Sequence, residues 1–291
     1  MDFHTFHQGK ALTHLQDAVR AALDEDGEDL TSNAVFGPEV QARAIIVAKQ
    51  DAVVAGLPIG PMVLDMVQAG TGAGMRLLAS DGDAVRPGQT VAEISAPART
   101  VLRAERVILN FLTHLSGIAT LTRDYARTLR GTSTTLLDTR KTLPGLRYPE
   151  KYAVLLGGGK NHRIDLSQML MLKDNHIDQA GGIAPAVALL RAAYTPCPPI
   201  EVECRTLAEV RAAAALGVER IMLDNMSLAA LAQALDLVPK GIETEVSGGV
   251  DLQTLPLIAL AGPDFVSVGR LTHSAPAADF SMRIDIPTGT P

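Results

Sequence analysis

Tryptophan is absent from this 291-residue chain, and aromatic residues make up only 3% of it. A core built without large rings has to come from Ala, Leu, Val and Ile. Hydrophobic residues, at 47% of the chain, supply enough of them for a substantial interior. Cysteine is nearly missing too. Cys197 and Cys204 are the only two, too few for a disulfide framework, and no His or third Cys stands nearby at ligand spacing to make a thiolate metal site. The N-terminal MDFHTFHQGK lacks a basic segment followed by an apolar one, so the thiols read as reduced and the chain as cytoplasmic. Positive charge is not in surplus: the formal net charge is −6, which argues against general nucleic-acid binding. No apolar run reaches the ~18–20 residues that span a bilayer.

What is present divides near residue 115. Residues 11–24 repeat apolar positions at helical spacing. Residues 42–49 and 52–55 read as strands, 58–69 as a helix, and Met75–Ala79 and Thr90–Ile94 as two further strands. Asp-Gly and Pro-Gly turns between them predict a small antiparallel sheet. A long helical region follows over 99–130, interrupted near Gly117. From residue 134 the pattern becomes repeated βα units. Strands are expected at Thr135–Asp138, Met169–Lys173, Ile200–Cys204, Arg220–Leu223, Thr244–Ser247 and Phe265–Val268, with helices at about 180–193, 206–216, 227–236 and 252–261. Thr206 and Glu209 form a capping box, and Gly217 stands where a helix C′ glycine belongs. Such units fold as an α/β barrel or as an open doubly wound sheet. No GxGxxG follows the first strand, which disfavours a dinucleotide-binding sheet.

Polar residues mark the strand ends: Asp138-Thr139-Arg140-Lys141, Lys173-Asp174-Asn175-His176, Asp224-Asn225, Ser247-Gly248-Gly249 and Gly269-Arg270, with Glu201 and Glu203 inside an otherwise apolar strand. In an α/β barrel those ends share the face where chemistry sits. A strand-end Asp or Asn also serves simply to cap the next helix, and Asn225, just before Met226-Ser227, fits that role equally well. A basic island of Arg140, Lys141, Arg147, Lys151, Lys160 and Arg163 reads as loop interleaved with Gly157-Gly158-Gly159. Such glycines let backbone approach a ligand, and arginine forks suit carboxylates and phosphates. The glycine turns at 247–249 and 268–270 follow the last two strands, the usual phosphate site of such barrels. Glu203 and Asp224 among so many cations call for bound Mg²⁺ or sugar hydroxyls. This set describes phosphoribosyl transfer; Schiff-base chemistry on Lys173 remains a second possibility.

Long segments of the chain resemble the quinolinate phosphoribosyltransferases: ERVILNFLTHLSGIAT at 105–120, DTRKTLPGLRYPEKYAVLLGGGKNHR at 138–163, MLKDNHI at 171–177, VEC at 202–204, IMLDNM at 221–226, EVSGGV at 245–250 and VSVGRLTHSAPAADFSM at 266–282. The similarity runs over essentially the whole chain, in order. It implies an α/β fold, an incomplete TIM-like barrel over 116–271 with an N-terminal α/β sandwich over 1–115, to which the segment 272–291 returns. It implies transfer of phosphoribosyl from phosphoribosyl pyrophosphate to quinolinate with decarboxylation, in NAD biosynthesis. Arg106 matches an arginine supplied to a neighbouring subunit, which implies a homodimer or higher assembly with shared sites. Arg140, His162, Arg163 and Lys173 match the residues around the quinolinate carboxylates. Thr139 adjoins them. Lys141, Glu203 and Asp224 match those facing phosphoribosyl pyrophosphate and Mg²⁺, with Lys173, Glu203 and Asp224 nearest the chemistry. Ser247, Gly248, Gly249, Val268, Gly269 and Arg270 match the phosphate turns, although the family often has a small residue where Arg270 stands. A paralogous family encoded with molybdate transport genes shares the fold and phosphoribosyl site; the complete set Arg106, Arg140, His162, Arg163 and Lys173 favours quinolinate. A non-catalytic anion-binding protein is a third reading, one that predicts no turnover.

Overall fold

A computed structural model describes residues 2–68 and 74–287. Two compact units divide the chain: one takes in Met1–Arg123, Thr142–Gly158 and Leu271–Pro291, the other Asp124–Lys141 and Gly159–Arg270.

The first unit opens with helices α1 (Phe3–Phe6), α2 (Lys10–Asp26) and α3 (Leu30–Val35). In α2 the fourfold spacing of Ala11, Leu15, Val19 and Leu23 puts all four on the buried face. Strand β1 (Gln41–Ala48), β2 (Ala52–Val53), helix α4 (Ile59–Val67), β3 (Gly74–Leu77), β4 (Ala84–Val85) and β5 (Thr90–Pro97) follow. The helix expected over 58–69 is α4; position 69 lies outside the described residues. Alternation along β1 turns Ala42, Ala44 and Ile46 inward. This strand pairs antiparallel with β5, Ala44 opposite Ile94, and on its other side with the last strand, β12 (Phe280–Asp285), Ile46 opposite Met282. The sheet order is β12-β1-β5-β3, with β2 and β4 as a separate antiparallel pair.

Helix α5 (Ala98–Thr128) is unbroken over its 31 residues, so the interruption expected near Gly117 does not exist. Glycine is there for another reason. A Cβ at 117 would lie 2.1 Å from the carbonyl oxygen of Pro276, so the returning backbone passes directly over the helix. The basic island also needs correction. Arg147 and Lys151 lie not in a loop but in helix α6 (Arg147–Gly157), and Lys151 is fully buried. Gly157 presses on α5, where a Cβ would meet Thr122 at 2.4 Å, and Gly158 is the left-handed cap of α6. These glycines serve helix packing and termination.

The second unit is the run of βα units. Its strands are β6 (Thr135–Leu137), β7 (Leu170–Leu172), β8 (Ile200–Cys204), β9 (Arg220–Asp224), β10 (Glu243–Ser247) and β11 (Phe265–Ser267). They form one parallel sheet ordered β6-β11-β10-β9-β8-β7. The last strand pairs with the first, Val266 opposite Leu136, but β6 and β7 do not pair. That gap makes the barrel incomplete. The free side of β6 is occupied by Lys160, which bridges Leu137 and so covers an otherwise open edge. Helices α7 (Asp174–Ala180), α8 (Ile183–Ala193), α9 (Leu207–Ala215), α10 (Leu228–Leu237), α11 (Leu255–Ala261) and α12 (Arg270–His273) complete the units. The helix expected over 180–193 is α8; α7 was not expected, and Gly181 and Gly182, both with positive φ, separate it from α8. The Thr206–Glu209 capping box is formed. Strands such as β8 are buried on both faces, as helix-covered parallel strands must be. No helix among the described residues is long and apolar enough to cross a membrane.

Candidate active site

Parallel pairing brings all the C-terminal strand ends of the second unit to one face. A cavity of about 550 Å³ opens there, lined by Thr139, Arg140 and Lys141 after β6, Lys173 after β7, Glu203 on β8, Asp224 and Asn225 at the end of β9, and Ser247-Gly248-Gly249 after β10, together with His162, Arg163 and Glu245. Sheet order arranges the charge. The cations come from β6, β7 and the connection between them, so they flank the gap; Glu203 and Asp224 come from the interior strands β8 and β9.

Of the residues proposed from sequence, this cavity gathers Thr139, Arg140, Lys141, His162, Arg163, Lys173, Glu203, Asp224, Ser247, Gly248 and Gly249. Val268, Gly269 and Arg270 are not among its lining; Val268 is buried, and Arg270 begins α12. Their predecessor Ser267 lines it instead. Arg106 stands exposed on α5 in the first unit. Lys160, Arg147 and Lys151 of the basic island are not in the lining either.

Several contacts fix the cationic side. Asp138, fully buried, accepts the backbone N–H of His162 at 2.8 Å and the Asn161 amide at 2.7 Å, tying the end of β6 to the 161–163 segment. Arg163 donates through Nη1 to the Met169 carbonyl at 2.9 Å. Burial and the nearby Arg140 guanidinium hold Arg163 below its ordinary pKa. Two cations that disfavour each other are a site in want of an anion. Arg140 Nε is itself buried with no hydrogen-bond partner among the described residues. Lys173 is paired with Glu203, which directs its ammonium across the cavity from β7 towards β8. Thr139 Oγ1 accepts the Lys141 N–H at 3.0 Å and shapes the turn out of β6.

Beneath the cations lies a buried acid pair that sequence reading did not place in the site. His162 Nε2 is 3.1 Å from Glu201 Oε2 and 3.4 Å from Glu245 Oε2, and both glutamates are fully buried. Glu245 also meets Arg220 Nη1 at 3.1 Å. Burial disfavours the imidazolium, but the bonds to Glu201 and Glu245 outweigh it and raise His162 to about 9. Burial pushes Glu201 up; it acts the same way on Glu245, where His162 and Arg220 prevail and leave that carboxyl below its usual range. The Arg163 backbone N–H points at His162 Nδ1 at 2.7 Å, which favours a neutral ring. Two carboxylates in a low-dielectric interior exert the stronger pull, because an ion attracts more strongly than one amide dipole. The sequence signal for this cluster was weak: Glu201 is one of two glutamates in the otherwise apolar β8, and Glu245 stands in β10 beside Glu243 and Thr244.

Comparison with known proteins shows the family. The quinolinate phosphoribosyl transferase C-terminal domain matches residues 118–283, and the N-terminal domain of the same family matches residues 29–116. A decarboxylating quinolinate phosphoribosyltransferase 1b of Nicotiana tabacum is 38% identical over 292 residues, covering 93% of this chain and 82% of that one. Among solved structures, NadC from Streptococcus pyogenes is 41% identical with a TM-score of 0.89, covering 97% of this chain and 100% of that one. The nicotinate-nucleotide pyrophosphorylase from Ehrlichia chaffeensis is 35% identical with a TM-score of 0.88, covering 92% and 98%. This chain belongs to the quinolinate phosphoribosyl transferase family.

Proposed function

We propose that the protein transfers phosphoribosyl from phosphoribosyl pyrophosphate to the ring nitrogen of quinolinate, releasing pyrophosphate and carbon dioxide and giving nicotinate mononucleotide. The observation that carries this reading is one cavity with guanidinium and ammonium groups beside the gap, the carboxylates of Glu203 and Asp224 on interior strands, and a glycine turn beside them. Arginine forks suit the two carboxylates of quinolinate. Carboxylates suit ribose hydroxyls and the positive charge that grows at ribose C1 as its bond to pyrophosphate breaks. The pyridine nitrogen forms the new bond to C1, and the electron pair of the broken bond leaves with pyrophosphate. Quaternisation of the nitrogen then lets the adjacent carboxylate depart as carbon dioxide. Its electron pair stays on the ring carbon, where Lys173 stabilises it until a proton is taken up.

Glu203 and Asp224 fit Mg²⁺ as donors, being hard carboxylate oxygens on neighbouring strands. Among the described residues they join no compact group of three or more His, Cys, Asp or Glu ligands, which suits an ion that keeps water and substrate oxygens rather than a protein cage. When bound, Mg²⁺ would offset charge on the departing pyrophosphate. The functional assembly in this reading is a homodimer or larger, in which Arg106 serves a neighbour's cavity. Its compartment is the cytoplasm, where the two free thiols stay reduced.

The test is pyrophosphate release with quinolinate, nicotinate and nicotinamide in turn. Quinolinate is the expected substrate. Nicotinate leaves an arginine contact unfilled, worth roughly 1.5–3 kcal/mol, or about a 10- to 100-fold loss in kcat/KM. Comparable turnover of nicotinate overturns the assignment. A Schiff-base role for Lys173 would instead show as borohydride trapping of a carbonyl substrate, which should fail.

A further inference from the structure

Asn225 has no part in the chemistry above, yet three features of the cavity converge on it. Its φ is 52°, and it is the one non-glycine position with positive φ among the described residues. L-residues avoid that region, with Asn and Asp the main exceptions. Its backbone N–H donates to the Ser247 carbonyl at 2.9 Å, carrying the β9–β10 ladder one residue past the Asp224–Ser247 pair that ends it. Its side chain reaches both neighbours of interest. Nδ2 donates to Asp224 Oδ2 at 2.7 Å, and Oδ1 lies 2.2 Å from where a Cβ on Gly248 would stand. Helix capping does not explain the residue. Ser227 caps α10, its side chain accepting the Ala230 N–H at 3.3 Å.

We propose that Asn225 is a positioning residue for phosphoribosyl pyrophosphate, holding the Asp224 carboxylate in place and seating the Gly248 turn against the end of β9. This rests on the substrate reading given above. An aspartate side chain at a strand end has freedom about two torsions. One amide donor on Oδ2 removes that freedom and leaves Oδ1 for a ligand. The amide oxygen of the same side chain fills the space left by Gly248, so the acid and the glycine turn are set relative to each other by one residue. Asparagine meets all three requirements. Aspartate tolerates the backbone but sets a second carboxylate beside Asp224. Glycine tolerates the backbone and removes the amide.

Asn225→Gly and Asn225→Asp separate these roles. Each variant is compared with wild type for the KM of both substrates, for calorimetric affinity toward phosphoribosyl pyrophosphate alone, and for thermal midpoint. The expected result is a rise of about tenfold or more in KM and Kd for phosphoribosyl pyrophosphate, the loss of one hydrogen bond to a charged group. Quinolinate KM should stay within about twofold. Asn225→Asp should be affected at least as strongly as Asn225→Gly, through repulsion. Retention of wild-type affinity for phosphoribosyl pyrophosphate by Asn225→Gly overturns the proposal, since only the backbone turn would then matter. Parallel losses for both substrates overturn it too. A wild-type protein that binds phosphoribosyl pyrophosphate but turns over no quinolinate removes the substrate reading alone, and the Asn225 question is then decided on the Kd values. A wild type that does not bind phosphoribosyl pyrophosphate removes both.

Discussion

His162 lines the cavity, and its ring also meets two buried glutamates. The resemblance sets it beside the quinolinate carboxylates, and Nε2 faces Glu201 and Glu245. Its pKa is raised from 6.5 to about 9 despite burial, because those carboxylates favour the charged ring. A histidine raised in the folded state contributes stability that is complete below its unfolded pKa, and that stability is lost as pH climbs through the folded value. The wild-type thermal midpoint should therefore fall as pH rises from 6.5 to about 9. Glu245→Gln removes one of the two charges and lowers the folded value, so the fall should be smaller and end at lower pH; melting curves between about pH 6 and pH 10 would detect it. Superimposable profiles for the two proteins would mean that the ring does not sense Glu245. Lys173 and Asp224 were legible as charges ending apolar runs and Glu203 as a charge inside one, repeated over several strands in a row. Glu201 and Glu245 were not legible as a site, since their meaning depends on His162, which arrives from a different connection.

At the scale of elements, local signals were read well and packing signals were misread. The Thr206–Glu209 capping box was plain because its two hydrogen bonds lie within one turn of chain. Gly117 resembled a helix break because sequence offers no other explanation for glycine at such a position. The cause is the Pro276 carbonyl, more than 150 residues away in the chain. Gly117→Ala makes the competing effects measurable. Helix propensity favours alanine by about 1 kcal/mol. Against it stands a Cβ 2.1 Å from a backbone oxygen, and overpacking against a fixed group costs about 1–3 kcal/mol. The clash should win, so the urea midpoint should drop. A variant as stable as wild type or more so would show that the 276–277 segment yields freely. Gly157 and Gly158 belong to the same class: apparent ligand-loop chemistry is in fact α6 packing and termination.

At the scale of the whole molecule, the proposal of shared sites predicts complementation between subunits. Arg106 is exposed on α5, and the cavity lining comes entirely from the second unit. If a neighbour's Arg106 completes each site, Arg106→Ala and Lys173→Ala should each be nearly inactive alone. After subunit exchange between the two, activity should return to about a quarter of wild type, because half of randomly paired dimers are mixed and each mixed dimer has one intact site. No recovery, with exchange verified by mass, would show that both residues act within one chain.

The sequence by itself determined the βα repeat, the strand ends that carry charge and the family resemblance. All three depend on short-range order: apolar periodicity, caps, and motifs unbroken along the chain. Tertiary structure alone decided the rest. The sheet order β6-β11-β10-β9-β8-β7 places cations beside the gap and acids in the interior, and no local pattern specifies which strands become neighbours. The antiparallel register of β12 on β1, the helix seated in the basic island, and the burial of Glu201 and Glu245 against His162 have the same origin. Each is a contact between segments distant in the chain, and its free energy exists only once the intervening chain has been ordered.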